Sequence, residues 1–441
     1  MKILAFRGGV HPPDYKEYSK DKAIEDLAPP KMLQVPLAQH LGVPARLAVA
    51  KGDKVKAGQV IGECQGFVSA AVHSPVAGIV KKIDMVPHLS GRMVNGVEIE
   101  AEEEQVKFEE TKPAEPISRE TILGAIQAAG IVGMGGATFP AHVKLQPPEG
   151  KTIELLIING AECEPFLTCD YRLMIEEGER IIRGAELLMQ AMGTGRCIIA
   201  IEDNKPEAIA KIKAGIQGKQ GMEVQGLKTW YPQGGEKQLI YAITGREVPS
   251  GGLPMDVGCV VHNVGTAAAV ADAVDKGIPL IERVVTVSGD AVKRPGNYRV
   301  KIGTPIRAVL EAAGYEESAC AKVVLGGPMT GFAVANLTIP VTKGTSGILA
   351  LTERWVRSRE TEACLRCGRC LDVCPAGLNP RMLEAVSERG NEKMLNEYHV
   401  MDCIECGCCA YNCPSRRVLV HAIRYGKAKI AELRKVKKAQ T

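Results

Sequence analysis

Apolar and polar positions follow different rhythms in different parts of the chain. Residues 1–35 are rich in Pro and charge and show no clean period, so they predict an extended arm. From 36 to about 100, apolar residues come in brief runs punctuated by Gly42, Gly52, Gly58, Gly62, Gly66, Gly78 and Gly91, a pattern of short β-strands and tight turns. From about 117 the rhythm changes again. Ser118 is a plausible N-cap for a helix over RETILGAIQAA, closed by Gly130. IELLIIN (153–159) and RCIIAIE (196–202) are continuous apolar runs suited to buried parallel strands. Between them, RLMIEEGERIIRGAELLMQAM (172–192) carries one long helical period that stops at Gly193, and 235–244 and 264–275 read as further helices. Strand-helix-strand order at this spacing predicts an α/β domain with a parallel sheet. Residues 281–352 read as strand, turn, strand and helix, and 355–425 as short helical stretches.

Two segments in the β-rich part echo one another: VPARLAVAKGDKVKAGQVIGE (43–63) and AVHSPVAGIVKKI (71–83). They are similar to the barrel-sandwich fold of biotinyl and lipoyl carrier domains. Those carriers hold a modified lysine at the tip between the halves. Here the tip is QGFVSAAVHS and holds none, so no prosthetic arm is expected and the module (36–110) reads as structural or docking. His73 is expected to pack or to cap a turn. The acidic stretch EIEAEEEQVKFEETKPAEP that follows reads as a linker in its later half.

Composition narrows the function. The chain has 441 residues, 45% hydrophobic and 24% charged, with a net charge of +4, which describes several soluble globular domains. No apolar run approaches the ~20 residues of a membrane span, and the N-terminus lacks a signal-peptide core. Aromatics at 4% argue against a surface built to stack nucleic-acid bases. The last segment, 416–441, holds nine Lys/Arg and one Glu, so the basic tail (426–441) is expected as a solvated or docking element.

Cysteine carries the strongest chemical signal. Nine of 15 cysteines lie between Cys364 and Cys413, an odd and clustered set that points to metal ligation under reducing conditions. The spacing is Cys364-x2-Cys367-x2-Cys370-x3-Cys374-Pro375, repeated as Cys403-x2-Cys406-x2-Cys409-x3-Cys413-Pro414. This is the arrangement of two-cluster bacterial ferredoxins, in which the fourth Cys of each run ligates the other cluster. Structural zinc uses paired knuckles with a long spacer instead. One [4Fe–4S] cluster is therefore expected on Cys364, Cys367, Cys370 and Cys413, and the other on Cys403, Cys406, Cys409 and Cys374. Cys408 reads as an unligated neighbour.

The α/β region adds four polar loops. The glycine run Gly133-Met134-Gly135-Gly136 follows a helix and precedes no strand, so it is not a dinucleotide fingerprint, and taken alone it reads first as a tight turn. Asn159-Gly-Ala-Glu162-Cys163-Glu164-Pro165 ends a buried strand, where α/β sheets bind ligands. Tyr231-Pro-Gln-Gly234-Gly235-Glu236 immediately precedes a helix, an anion-binding location. His262-Asn263-Val-Gly-Thr266 supplies amide and hydroxyl groups. Together the four favour a mononucleotide site.

GMGGATFPAHVKL, NGAECEP, YPQGGEKQL and HNVGT resemble, in the same order, segments of the flavin-carrying, NADH-binding subunit of respiratory complex I. The resemblance implies FMN contacts from Gly133, Gly135, Gly136, Lys144, Asn159, Glu162, Gly234, Asn263 and Thr266, and NAD contacts from Phe139, Glu164 and Glu236. Two departures are visible: Met134 stands where the relatives have arginine, and Gly235-Glu236 where they have an acidic pair. Over the whole chain, the order of arm, barrel-sandwich, flavin fold, β-grasp and twin cysteine motif resembles the RnfC family of the Rnf-type ion-translocating ferredoxin:NAD oxidoreductases.

That resemblance implies an α/β multidomain oxidoreductase. It would comprise a barrel-sandwich hybrid, a Rossmann-like FMN/NAD domain (115–280), a β-grasp soluble-ligand-binding module (281–352) and a two-cluster ferredoxin-like domain (355–425). NAD(H) would be the substrate. The expected setting is the cytoplasmic face of a membrane complex with an iron–sulfur subunit and integral membrane subunits. The alternatives are a flavin/iron–sulfur cobalamin reductase of propanediol utilisation, or a ferredoxin-like carrier that binds no flavin.

Overall fold

The structure is a computed structural model that describes residues 4–105, 108–111, 115–356 and 360–440, with side chains described as far as 435. Its centre is a four-stranded parallel sheet of Leu155–Gly160, Cys197–Glu202, Met222–Leu227 and Cys259–Asn263. In space the order is Met222–Leu227, Cys197–Glu202, Leu155–Gly160, Cys259–Asn263. The chain therefore steps away from Leu155–Gly160 in one direction and returns on its other side. The first strand is apolar throughout because both its faces are covered: Leu156 and Ile158 enter one core and Leu155 and Ile157 another.

Helices Gly178–Met192 and Val264–Lys276 pack side by side on the first face. They approach so closely at Gly184 that an added Cβ would stand 1.7 Å from the Ala267 carbonyl oxygen. The single helix expected over 172–192 is two, Cys169–Glu176 and Gly178–Met192, broken at Glu177 (φ −129°, ψ 31°). The Glu177 carboxylate pairs with both Arg180 and Arg299 at the break. Helix Pro206–Gly215 and strand Met222–Leu227 complete the domain, two elements that the apolar pattern did not single out.

The barrel-sandwich consists of the sheet Met32–Pro36, Met93–Ala101, Gly78–Pro87 and Lys54–Val55 facing Arg46–Leu47, Val60–Glu63 and Val72–His73. Leu33, Val35, Ile61, Val80, Val97 and Ile99 fill it. His73 is packed, at 5% exposure, and its Nδ1 has no hydrogen-bond partner. Of the acidic linker, residues 106–107 and 112–114 lie outside the described residues.

The β-grasp part is a six-stranded sheet whose edge strand, Ile24–Asp26, comes from the N-terminal arm and pairs in parallel with Gly296–Lys301. The arm is thus extended but not loose. Met32–Pro36 joins the barrel, and Val10 exchanges two backbone hydrogen bonds with Tyr231 (2.8 and 2.9 Å). In the cysteine-rich part, Leu383, Val386, Ile423 and Ile430 hold helix Pro380–Arg389 against Leu419–Gln440. That last helix runs straight through the boundary expected at 425–426, so the basic segment begins as part of a packed core. No helix among the described residues is long and apolar enough to cross a membrane.

Lys343, 1% exposed, joins three modules. Its Nζ donates to the carbonyls of Ala71 in the barrel and Gly130 in the α/β domain, both at 2.6 Å. Burial pushes its pKa down to about 7. An unfolded lysine keeps its proton to about pH 10.4, so between those values the unfolded chain binds more protons than the native one. Stability carried by this group should therefore rise as the pH climbs from about 7 to 10. Urea midpoints across that range test this: the wild type should show the slope, and Lys343→Met should flatten it.

Candidate functional site

The sheet reverses its winding beside Leu155–Gly160, and at this switch point Asn159 lies directly opposite Asn263 on the neighbouring strand. Crevices of this kind, at the carboxyl ends of parallel strands, are where open α/β sheets hold ligands. Asn159 ties two loops together: its Nδ2 donates to the Gly234 carbonyl (2.9 Å) and its Oδ1 accepts from Ala161 N (3.1 Å). Asn263 caps helix Val264–Lys276 by accepting from Gly265 N (2.8 Å), while its Nδ2 donates to Asp170 (2.6 Å). The glycine loop is pinned to the same helix, because Met134 N donates to the buried Thr266 hydroxyl (2.9 Å).

The loop is open on its outer side. A Cβ added at Gly136 (φ +140°) would meet nothing within 4 Å, and one at Gly133 nothing closer than 3.6 Å. Bare backbone facing open space at a helix start is the cradle that a phosphate-bearing ring system needs. Gly133, Gly135, Gly136, Asn159, Gly234, Asn263 and Thr266 are thus gathered around one crevice.

Lys144 and Glu236 close one flank as an ion pair (2.6 Å), and Lys144 also donates to the Val261 carbonyl (3.1 Å). His262 beneath them is fully buried with both ring nitrogens unpaired, and burial pushes its pKa down to about 3, so it is neutral. Phe139 is half-buried, and its carbonyl accepts from Gly133 N (2.8 Å).

Two expected ligands have other employment. Glu162, at φ +45°, turns its carboxylate onto the N–H groups of Asp170 (2.7 Å) and Tyr171 (3.2 Å) at the start of helix Cys169–Glu176. Glu164 points into the β-grasp module. It accepts from Met329 N (3.1 Å), Thr330 N (3.0 Å) and the Thr330 hydroxyl, and burial raises its pKa. Its side chain is therefore committed to joining two modules, not to a dinucleotide in the crevice.

Two buried lysines absent from the sequence reading hold this same loop. Lys16, from the arm, donates to the carbonyls of Glu162 (2.9 Å), Glu164 (3.1 Å) and Leu167 (2.6 Å). Lys205 donates to the Ala161 carbonyl (2.7 Å) and pairs with the equally buried Glu202 (3.2 Å). A loop that turns at Glu162 and again at Phe166 (φ +67°) aims its carbonyls inward, and a lysine with three donors can satisfy several at once.

The cysteine runs fold as two copies of one loop. Arg366 and Glu405, each two residues after the first Cys, are left-handed (both φ +57°), as are Gly368 and Gly407 (φ +80° and +81°). Each turn directs a backbone N–H at a sulfur: Arg366 N to Cys364 Sγ and Glu405 N to Cys403 Sγ, both at 3.4 Å. Such N–H···S bonds stabilise thiolate and tune an attached cluster. Cys364, Cys367, Cys370 and Cys413 line one cavity, and Cys374, Cys403, Cys406 and Cys409 line a second. Four thiols around each space, with donors aimed at sulfur, suit a cubane. Cys408 also reaches the second cavity but its Sγ turns toward the Tyr231 carbonyl (3.9 Å).

The second cavity abuts the crevice. The Tyr231 hydroxyl donates to the Cys406 carbonyl (2.7 Å), and three residues further on Gly234 meets Asn159. The arm closes the seam: Gly9 N donates to Val373 O (3.0 Å), Trp230 Nε1 donates to Gly8 O (2.7 Å), and a Cβ at Gly8 would press on Cys374 O at 2.9 Å.

Comparison with known proteins agrees with this division. Residues 126–272 match the Nuo51 FMN-binding domain, 4–104 the RnfC barrel sandwich hybrid domain, 284–333 the SLBB domain and 357–414 a 4Fe-4S dicluster domain. The chain is 45% identical to the C subunit of the proton-translocating ferredoxin:NAD(+) oxidoreductase complex of Clostridium ljungdahlii, over 97% of this chain and 94% of that protein. It is 43% identical to the C subunit of the Na(+)-translocating ferredoxin:NAD(+) oxidoreductase complex of Acetobacterium woodii, over 99% of each. In fold it is similar to an NAD+-reducing [NiFe]-hydrogenase structure, with a TM-score of 0.50 at 21% identity, covering 75% of this chain and 69% of that one.

Lys16→Met should free the loop over 160–168. Amide hydrogen exchange there should report a local opening free energy lower by about 2–3 kcal/mol, the scale of a lost charge-assisted donor to buried acceptors, while the sheet stays protected.

Proposed function

The chain belongs to the RnfC family, the C subunits of ion-translocating ferredoxin:NAD(+) oxidoreductase complexes, and from that premise we propose that it passes electrons between NAD(H) and a pair of iron–sulfur clusters through FMN. One observation carries the reading: the loop from Tyr231 to Gly234 lines the crevice at one end and touches the second cysteine quartet at the other. A flavin-free carrier would have no use for that junction. Membership of the family favours this reading over a corrinoid reductase.

FMN, when bound, takes up two electrons as hydride and gives them up singly. The chain's task is alignment. Gly133, Gly135 and Gly136 let backbone come close to the flavin, and Asn159 and Gly234 support it from the strand end. Asn263 and Thr266 stand at the positive end of a helix, where a phosphate is favoured. The Lys144–Glu236 pair and Phe139 flank the opening through which a nicotinamide would enter. No side-chain acid or base is required, because hydride transfer needs orientation more than proton movement.

Two clusters follow, one on Cys403, Cys406, Cys409 and Cys374, the other on Cys364, Cys367, Cys370 and Cys413. The former is the inner relay, beside Tyr231. The latter is the outer one, since Cys367 is exposed and Leu365 beside it is 67% exposed. Partners are the other members of a membrane complex, including an iron–sulfur subunit and integral membrane subunits, met at the cytoplasmic face.

Anaerobically purified protein should contain about eight irons per flavin. Asn159→Ala should lose flavin and keep its iron; retention of flavin would show that the crevice is misassigned. Cys413→Ser should remove the outer cluster's electron paramagnetic resonance signal and spare that of the inner cluster, although Cys413 lies in the second sequence run. Loss of the inner signal alone would reverse the pairing.

A further inference from the structure

Arg283 is a buried cation with no ion-pair partner among the described residues. It lies on the first β-grasp strand, Glu282–Ser288, and is 6% exposed. Its Nε donates to the Thr345 carbonyl (3.2 Å), and one terminal nitrogen meets only the sulfur of Met134. No carboxylate among the described residues lies within ion-pair distance of it, and its second terminal nitrogen has no protein acceptor. Guanidinium does not shed its proton in proteins, so this site holds a full positive charge out of water. Such a charge is costly unless an anion meets it.

The surroundings show where that anion would sit. Arg283 lines a cavity with Met134, Asp170 and Gly265. A Cβ built on Gly265 would lie 3.5 Å from its Nη1 and 3.0 Å from Asn263 Oδ1, so the guanidinium stands at the first turn of helix Val264–Lys276. That helix has 13 residues, enough for a developed positive end. The glycine loop shares this wall through the bond from Met134 N to Thr266.

Asp170 does not fill the need. Its Oδ2 is taken by Asn263 Nδ2 (2.6 Å), and burial together with neighbouring Glu162 pushes its pKa up to about 7. Asp272 and Glu282 also line the cavity, but they are paired with Arg180 and Arg299, which both pair with Glu177 as well.

We propose that Arg283 binds the phosphate of the flavin mononucleotide, so that the β-grasp module contributes a side chain to the flavin site. The inference rests on the FMN reading above. A planar guanidinium with free N–H groups, a helix start and exposed loop amides together suit a phosphate monoester dianion. The β-grasp module is then part of the cofactor site and not a bystander.

The test compares FMN with riboflavin, which differ only by the phosphate. Full-length protein with its clusters intact, freed of flavin, is titrated with each and followed by quenching of flavin fluorescence. Wild type should hold FMN more tightly by about 10- to 100-fold, the range of a charge-assisted contact. Arg283→Met should bring the two affinities together by weakening FMN alone, with riboflavin binding and iron content unchanged. Arg283→Lys should retain an intermediate preference. Inorganic phosphate should compete with FMN in the wild type and not in Arg283→Met. Equal loss of both flavins in Arg283→Met would mean that the residue only packs, and unchanged FMN binding would mean that it plays no part; either overturns the proposal. If wild type binds both flavins equally, the phosphate contact fails while the flavin reading stands. If it binds neither, the flavin reading fails and takes this inference with it.

Discussion

The contact between Tyr231 and Cys406 is the constraint around which the rest is arranged. Two sites that exchange electrons have to be held at a fixed, short separation, yet they lie on modules with separate cores. A flexible joint would let that separation wander. Here the joint is a hydrogen bond from a phenol that is 2% exposed to a backbone carbonyl within the cysteine loop. It is reinforced by the antiparallel bridge between Val10 and Tyr231 and by the bond from Gly9 to Val373. The N-terminal arm works as a strap across the junction, which explains why its glycines lie against Cys374 and Trp230 and tolerate no side chain there.

A second theme is the use of buried lysines to position backbone. Lys16, Lys205 and Lys343 are each 6% exposed or less, and among them they satisfy six backbone carbonyls in loops and helix ends. Burying an ammonium is expensive, and well-packed apolar side chains would stabilise the fold at least as well. What an apolar side chain cannot do is satisfy carbonyls: Lys16 meets three within one loop, and Lys343 meets one from each of two modules. Three rotatable N–H donors on a long stem do so, and they fix the relative placement of the chains that carry those carbonyls. Arg283 departs from the pattern because its donors outnumber its protein acceptors.

How much of this was legible in the sequence follows from how local each feature is. The cysteine loops were legible because three ligands of each quartet, Cys364, Cys367 and Cys370 in one and Cys403, Cys406 and Cys409 in the other, follow at fixed short spacing, and the repeat of that spacing supplies the fourth from the other run. Asn159 was legible because it ends a continuous apolar run, where ligands bind in parallel sheets, and Asn263 because it stands in a polar segment, HNVGT, that resembles a flavin loop. Glu162 and Glu164 sit in the same short motif, but their side-chain directions are set by a left-handed backbone and by a loop of the β-grasp module more than 160 residues away. No spacing rule carries that information. The break at Glu177 was hidden for the same reason, since its partner Arg299 lies 122 positions along the chain. Lys16, Lys205 and Arg283 look like ordinary surface charges in a linear reading, and become distinctive only when folding removes their water.

The two cysteine runs are near copies in spacing, in backbone conformation and in the N–H groups that point at sulfur, so intrinsic geometry gives no reason for electrons to prefer one end. Direction has to come from the surroundings, and these differ sharply. Around the inner quartet, the Tyr231 loop and the arm cover one side. Helix Leu419–Gln440 covers another, with Lys427 donating to the Cys403 carbonyl (2.8 Å). The outer quartet is bordered by Arg366, Arg369, Arg381 and Arg417 and opens to solvent at Cys367. Cluster potentials depend on charge and solvent exposure, so equal ligand sets placed in unequal settings become distinguishable relays. A duplicated motif thereby acquires an inner and an outer end, and the asymmetry comes from the modules packed around it.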